Sequence, residues 1–233
     1  MEFLSIFQEF PEVLAAFSTR ADGDMKLKDA EPASLQNRAR YFTALGLLPD
    51  AVIGVQAAHG ADVIRVGKRE AGAAMKHVDG LTTSELGVFL SVTAADCLAI
   101  YFYDPVDRVI ALVHAGWRGL ARGIIAKALR QFEYPERVRV AVSPFIQSCH
   151  FEVGDDVVLA FSAHAEAVIE RDECFYVDMG AITFRQLLEA GVHSEYIKIS
   201  EECTMCSSAK YFSYRHDKPN LEVMVAVLGI KKA

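Results

Sequence analysis

The chain has 233 residues, 52% of them hydrophobic and 24% charged, a globular mix that excludes wholesale disorder. Acidic residues number 31 and basic residues 24, and the resulting net charge of −7 argues against nonspecific nucleic-acid binding, which rests on clustered Lys and Arg. Five cysteines, an odd number at irregular spacing, argue against a secreted disulfide framework and point to the cytoplasm.

The first ten residues, MEFLSIFQEF, carry Glu2 and Glu9 and no basic stretch ahead of their apolar residues, so no targeting signal is expected there. The most apolar run, Leu86–Tyr103, is interrupted by Asp96 and reads as two strands rather than a membrane span. Nothing in composition or spacing cuts the chain, and one domain over residues 1–233 is expected.

Ala21–Ser34, rich in Asp, Lys and Glu, reads as a surface loop. Ala33–Leu48 follows with apolar residues at helical spacing. Val52–Gln56 and Val63–Val66 are β-rich runs bracketing His59-Gly60, and a hairpin with the histidine at its tip is expected. Strands are then expected at Val88–Val92, Leu98–Tyr103 and Val109–Val113, the last two joined by the turn Asp104-Pro105-Val106-Asp107.

After Gly116 the period changes, with Leu120, Ile124, Ala128 and Leu129 marking one helix over Trp117–Phe132. Further along come a strand at Val138–Val142, a helix at Asp155–Val168 and a strand at Phe175–Asp178. A helix at Ala181–Ala190 and strands at Tyr196–Ile199 and Leu221–Leu228 complete the pattern. Strands outnumber helices without strict alternation, so the expected class is mixed α+β.

Chemistry-bearing residues concentrate between His59 and Gly119. His59, Cys97 and His114 each sit at or beyond the end of an expected strand, where a rigid scaffold can present them. Two imidazoles and one thiolate suit Zn²⁺, and three protein ligands leave a fourth position for water or substrate. Taken singly, the cysteine reads equally as a small buried hydrophobe and the histidines as hydrogen-bonded strand ends. Spacing alone leaves both readings open.

His114-Ala115-Gly116-Trp117-Arg118-Gly119 also reads two ways: an anion site at a helix N-terminus with Arg118 on its first turn, or a tight turn over Trp117. Cys203-Thr204-Met205-Cys206 has only His216 near it in sequence, and its thiols are expected to be incidental or buried. Phe212-Ser213-Tyr214-Arg215 reads as a half-buried strand or as a contact to a base or anion. Neither G-x-S-x-G, a P-loop nor G-x-G-x-x-G occurs.

His59-Gly60, Asp79-Gly80-Leu81-Thr82-Thr83, Ala95-Asp96-Cys97 and the block from His114 to Gly119 together resemble the YfiH family. It is also called the laccase-domain or multicopper polyphenol oxidase family, and is described as purine nucleoside phosphorylases. Ser18-Thr19-Arg20 early on, then Ser143-Pro144-Phe145-Ile146, Phe151-Glu152-Val153-Gly154 and Cys203-Thr204 with Phe212-Ser213-Tyr214-Arg215, extend the resemblance over nearly the whole chain. It implies a layered α/β/β/α sandwich, with His59, Cys97 and His114 as zinc ligands. Asp96 is implied as an acid/base or substrate-orienting carboxylate beside Cys97, and Arg38, Arg118 and Arg215 as substrate or phosphate contacts.

In a regular strand Asp96 and Cys97 would point to opposite faces, so the resemblance requires the strand to end or bulge there. Departures at Ser143, His150, Leu221-Glu222 and Ala21–Met25 leave the metal triad intact and fall on the substrate rim. The implied activity is phosphorolysis of purine nucleosides, including methylthioadenosine, with deamination of adenosine. The implied partners are those nucleosides and phosphate, with no nucleic acid or membrane, and a monomer or homodimer. A copper polyphenol oxidase is disfavoured because the seven histidines include no H-x-H pair. A hydrolase of cell-wall precursors, with Cys97 as nucleophile and His114 as base, is a further alternative.

Overall fold

The computed structural model describes residues 2–27 and 30–232. In chain order the first strands and helix are β1 (Val13–Phe17), α1 (Pro32–Ala44), β2 (Val52–Gln56), β3 (Val63–Arg65), β4 (Ala74–Lys76) and β5 (Gly80–Thr83). The middle of the chain forms β6 (Phe89–Ala94), β7 (Leu98–Asp104), β8 (Val109–Ala115), α2 (Trp117–Ala121), α3 (Ile124–Leu129) and β9 (Arg139–Val142). The remainder holds β10 (Glu152–Val153), α4 (Asp155–Ala160), β11 (Val168–Arg171), β12 (Cys174–Val177), α5 (Met179–Glu189), β13 (Ile197–Ile199), α6 (Tyr214–Asp217) and β14 (Met224–Ile230).

Two large mixed sheets dominate. One runs β1-β14-β6-β2-β4 and the other β13-β9-β7-β8-β5-β3, with a small third sheet, β10-β12-β11, at the side. Because side chains alternate along a strand, each large sheet feeds two cores. Leu98, Ile100 and Phe102 of β7 pack with Leu120, Ile124 and Leu187 in the layer that includes α2, α3 and α5. Ala99, Tyr101 and Tyr103 of the same strand face the other sheet, against Leu90, Ala226 and Leu228. The outer face of the five-stranded sheet, through Val225 and Val227, is covered by Phe42 of α1. The order helix, sheet, sheet, helix is the layered α+β sandwich expected. The fully buried Tyr101 hydroxyl donates to the Ala16 carbonyl at 2.8 Å, so the inter-sheet core gains an aromatic ring without an orphaned polar group.

The β7–β8 hairpin follows the sequence pattern closely. Its turn is held by Oδ1 of Asp104, which accepts from the Val106 and Asp107 amides at 2.8 and 3.3 Å.

Four expectations change. β2 and β3 are not a hairpin: β2 pairs in parallel with β6 and β4, whereas β3 joins the other sheet beside β5. Trp117–Phe132 is not one helix, because Gly123 adopts φ +73° and separates α2 from α3 while the buried stripe continues. Asp155–Val168 is helical only to Ala160; a 3-10 segment, Ser162–Ala167, leads into β11. Phe212–Arg215 is not a strand, since Ser213 caps α6 by accepting from the His216 amide at 3.2 Å. The expected surface loop at Ala21–Ser34 begins with a 3-10 turn and gives way to α1 at Pro32, and its residues Lys28 and Asp29 lie outside the described residues.

Candidate metal centre

The two sheets exchange the chain twice in neighbouring places. Between β2 and β3 it crosses through His59, and between β6 and β7 through Asp96-Cys97. Both crossovers turn sharply, with φ +56° at His59 and +78° at Asp96. Such left-handed backbone is uncommon for residues other than glycine, and here it ends the strand between Ala94 and Leu98. The alternation that would separate Asp96 from Cys97 is therefore broken, and both side chains line one pocket.

His114 completes the group from the end of β8. One donor atom from each of His59, Cys97 and His114 lies within 4.8 Å of the other two. The two imidazole rings meet edge to face with centroids 4.9 Å apart. His114 is buried, Cys97 half-buried and His59 exposed, so the group closes toward the core and opens to solvent.

Asp79, just before β5, organises the group from behind. Its Oδ1 lies 3.1 Å from Nδ1 of His114 and accepts from the His59 amide at 2.8 Å. Its Oδ2 accepts from the Gly60 amide at 2.7 Å. With Nδ1 committed to Asp79, the Nε2 face of His114 is left for the centre, the arrangement that fixes the tautomer of metal-ligating histidines. The Asp79-Gly80 block carries the family resemblance, but the role of Asp79 is visible only in the fold. Its signal was a lone acidic residue opening an apolar strand.

The protonation states follow from this packing. For the Asp79 carboxyl, burial opposes ionisation, but the His114 hydrogen bond and charge and the two amides prevail and hold it below the usual carboxylate range. Burial also works against the Cys97 thiolate, yet the positive His114 and hydrogen bonds from both histidines lower Cys97 to about 6. Burial would lower His114, but the Cys97 thiolate and the Asp79 carboxylate outweigh it and raise His114 to about 10. A thiolate between two imidazoles is a borderline-soft donor set, which fits a tetrahedral ion such as Zn²⁺ with one position free.

The glycines of the His114–Gly119 block serve close approach. A Cβ on Gly116 would lie 3.1 Å from the Cys97 sulfur, and one on Gly119 would lie 2.8 Å from the Gly60 carbonyl. The block turns tightly from β8 into the five-residue α2, with Arg118 exposed on its first turn.

A pocket of about 240 Å³ lies over the centre, walled by Ile146, Phe151, Met179 and Trp117. A second depression of about 320 Å³ opens on the other side of His59, against Lys26, Gln56 and Thr93. Arg118 stacks on Trp117 at 4.2 Å and reaches the first pocket, as does Arg215. Arg215 is anchored by donating to the carbonyls of His150 at 3.4 Å and Glu152 at 2.8 Å. Tyr214, from the block read above as a contact to a base or anion, and Lys218, which no sequence motif marks, complete the rim.

Asp96 points both oxygens at neighbouring loops. Oδ1 accepts from the Thr204 hydroxyl at 2.6 Å and Oδ2 from the Arg215 amide at 2.7 Å. Arg38 is not brought to the pocket. It is 6% exposed beneath α1, donating to the Met25 carbonyl and the Ser91 hydroxyl and stacking on Phe42, so its charge is spent inside the outer core.

Residues 15–231 match the family described as multi-copper polyphenol oxidoreductase laccase. The chain belongs to that family. Among similar proteins, the purine nucleoside phosphorylase YlmD of Geobacillus stearothermophilus is 32% identical over 249 residues, covering 94% of this chain and 91% of the relative. The crystal structure of YlmD from the same organism matches with a TM-score of 0.91 at 31% identity, over 97% of this chain and 94% of that one. Adenosine deaminase RL5, from an unknown prokaryotic organism, is 34% identical over 153 residues, covering 61% of this chain and 58% of the relative. As a member of this family the chain is an enzyme. No helix among the described residues is long and apolar enough to cross a membrane.

Proposed function

We propose that the chain is a zinc-dependent enzyme of purine nucleosides. It cleaves them with phosphate, methylthioadenosine included, and deaminates adenosine. The carrying observation is the convergence of His59, Cys97 and His114 beneath a small pocket that combines aromatic walls with two guanidiniums. The names of the relatives supply the reaction class.

His59, Cys97 and His114 hold the metal, which when bound supplies a Lewis acid able to lower the pKa of water toward about 7. Trp117, Phe151 and Tyr214 offer rings for a flat base to stack on. Arg118 and Lys218, both exposed at the rim, give phosphate its charge partners, and Arg215 adds a positive field from its anchored position. Aligning phosphate with the sugar is the larger part of the task, since orientation replaces a bimolecular encounter. Asp96, which lines the pocket, holds the loops of Thr204 and Arg215 in register, and the lone pairs those bonds leave over orient the base or relay its proton. Five unpaired cysteines suit a reducing cytoplasm.

Copper oxidation of phenols is the weaker reading despite the family's description. Among the described residues two histidines join the centre, too few for a blue-copper site plus a trinuclear cluster. The hydrolase reading has one specific observation in its favour, because Cys97, His114 and Asp79 line up as nucleophile, base and orienting acid. The second imidazole, His59, is redundant for that chemistry and is required for a metal.

The test is incubation of metal-replete protein with adenosine, with and without phosphate, followed by chromatography of the products. Phosphate-dependent adenine is expected from phosphorolysis and phosphate-independent inosine from deamination. Methylthioadenosine run alongside should give adenine only with phosphate. Absence of both activities, with a His59→Ala protein behaving identically, would overturn the proposal.

A further inference from the structure

Cys203 and Cys206 look isolated along the chain, with only His216 nearby. The fold supplies other company. Phe145 and Cys203 form an isolated parallel bridge, and the Thr204 amide donates to the Phe145 carbonyl at 3.1 Å. This draws the loop after β9 alongside the C-x-x-C segment and brings Cys149 and His150 to the two thiols. One donor atom from each of these four residues lies within 4.8 Å of the others. His216 is elsewhere, with its Nδ1 2.8 Å from Asp217.

Four of the six edges of the cluster lie within a few tenths of an ångström of tetrahedral values. With Zn–S of about 2.3 Å and Zn–N of about 2.0 Å, the S···S edges are about 3.8 Å and the S···N edges about 3.5 Å. The sulfurs of Cys149 and Cys206 are 3.7 Å apart. Nδ1 of His150 lies 3.2 Å from Cys149, 3.3 Å from Cys206 and 3.8 Å from Cys203. A disulfide needs S–S near 2.05 Å and would leave the third thiol and the imidazole without a purpose. The Cys203 sulfur also accepts from the Gln147 amide at 3.4 Å, the kind of backbone support a thiolate ligand receives.

We propose that Cys149, His150, Cys203 and Cys206 bind a second zinc ion, in a closed Cys₃His site. On binding, the thiols release their protons to solvent as three Zn–S bonds form, and His150 coordinates as neutral imidazole through Nδ1. Four protein ligands leave no open position, so this ion is structural. It staples the loop holding Ile146 and Phe151 to the one holding Thr204. Thr204 bonds Asp96, and the His150 carbonyl receives Arg215, so the staple stiffens one wall of the pocket.

Metal analysis of the full chain, purified without chelator and dialysed, tests this. About two zinc ions per chain are expected in the wild type. Both Cys203→Ser/Cys206→Ser and the milder Cys149→Ser, at an exposed position, should lose one of the two. His59→Ala should lose the other. Cadmium exchange gives an independent reading on unaltered protein. Sulfur-to-metal charge transfer should be about threefold stronger for the ion that survives in His59→Ala than for the ion that survives in Cys149→Ser, following the thiolate count. One ion per chain in both wild type and Cys149→Ser would overturn the proposal. So would an unreduced mass lowered by the hydrogens a Cys149–Cys206 disulfide loses.

Discussion

Oδ1 of Asp79 lies 3.1 Å from Nδ1 of His114 and also receives the His59 amide, so one carboxylate positions two of the three side chains of the candidate metal centre. Asp79→Asn keeps the shape but removes the charge that favours this tautomer. Metal affinity should fall about 10–100-fold, the usual cost of losing an outer-shell carboxylate. Titration against a chelating dye measures it, and unchanged affinity would show that Asp79 serves only the fold.

Cys97 should be reactive at low pH once metal is stripped. Its lowered pKa means that the thiolate fraction, and with it the alkylation rate, falls as pH drops through about 6, whereas an ordinary thiol loses reactivity near 9. The comparison is iodoacetamide labelling followed by peptide mapping at a series of pH values. Asp79→Asn should move the Cys97 profile toward higher pH, because a less basic His114 supports the thiolate less.

Gly116→Ala separates packing from strain. Gly116 has φ −79°, which alanine adopts freely, so the backbone gives no reason for a penalty. The added Cβ would lie 3.1 Å from the Cys97 sulfur and 3.6 Å from Cδ2 of His59. A weakened metal site in a folded protein is expected, seen as metal loss on dialysis with the circular dichroism spectrum retained.

Arg38→Ala should cost stability rather than substrate affinity. The buried guanidinium supports the Met25 carbonyl and the Ser91 hydroxyl, and stranding such partners costs about 1–3 kcal/mol. Denaturant titration should show the loss, while KM stays within error of the wild type. A raised KM with unchanged stability would return Arg38 to the substrate site.

Much of the fold could be read along the chain, because alternation and turn chemistry are local. Leu98–Asp104 and Val109–Ala115 declare themselves by composition and by the Asp104-Pro105 turn between them. The breaks were less visible. Gly123 sits inside an unbroken apolar stripe, and nothing in its neighbours says that it will turn left-handed. His59, Cys97 and His114 stood out as residue types beyond strand ends, but Asp79 did not, because an aspartate before a glycine is also an ordinary turn.

Residue order was enough for the strongest strands, the mixed α+β class and, through the family resemblance, the three residues worth testing as ligands, since these depend on near neighbours and side-chain chemistry. Which sheet each strand joins is a matter of long-range pairing. That choice split β2 from β3 and put the His59 and Cys97 crossovers side by side. It also buried Arg38 under α1 and gathered Cys149 and His150 with Cys203 and Cys206. Hydrogen bonding between strands distant in sequence is chosen by the burial of whole faces, and no local pattern encodes its outcome.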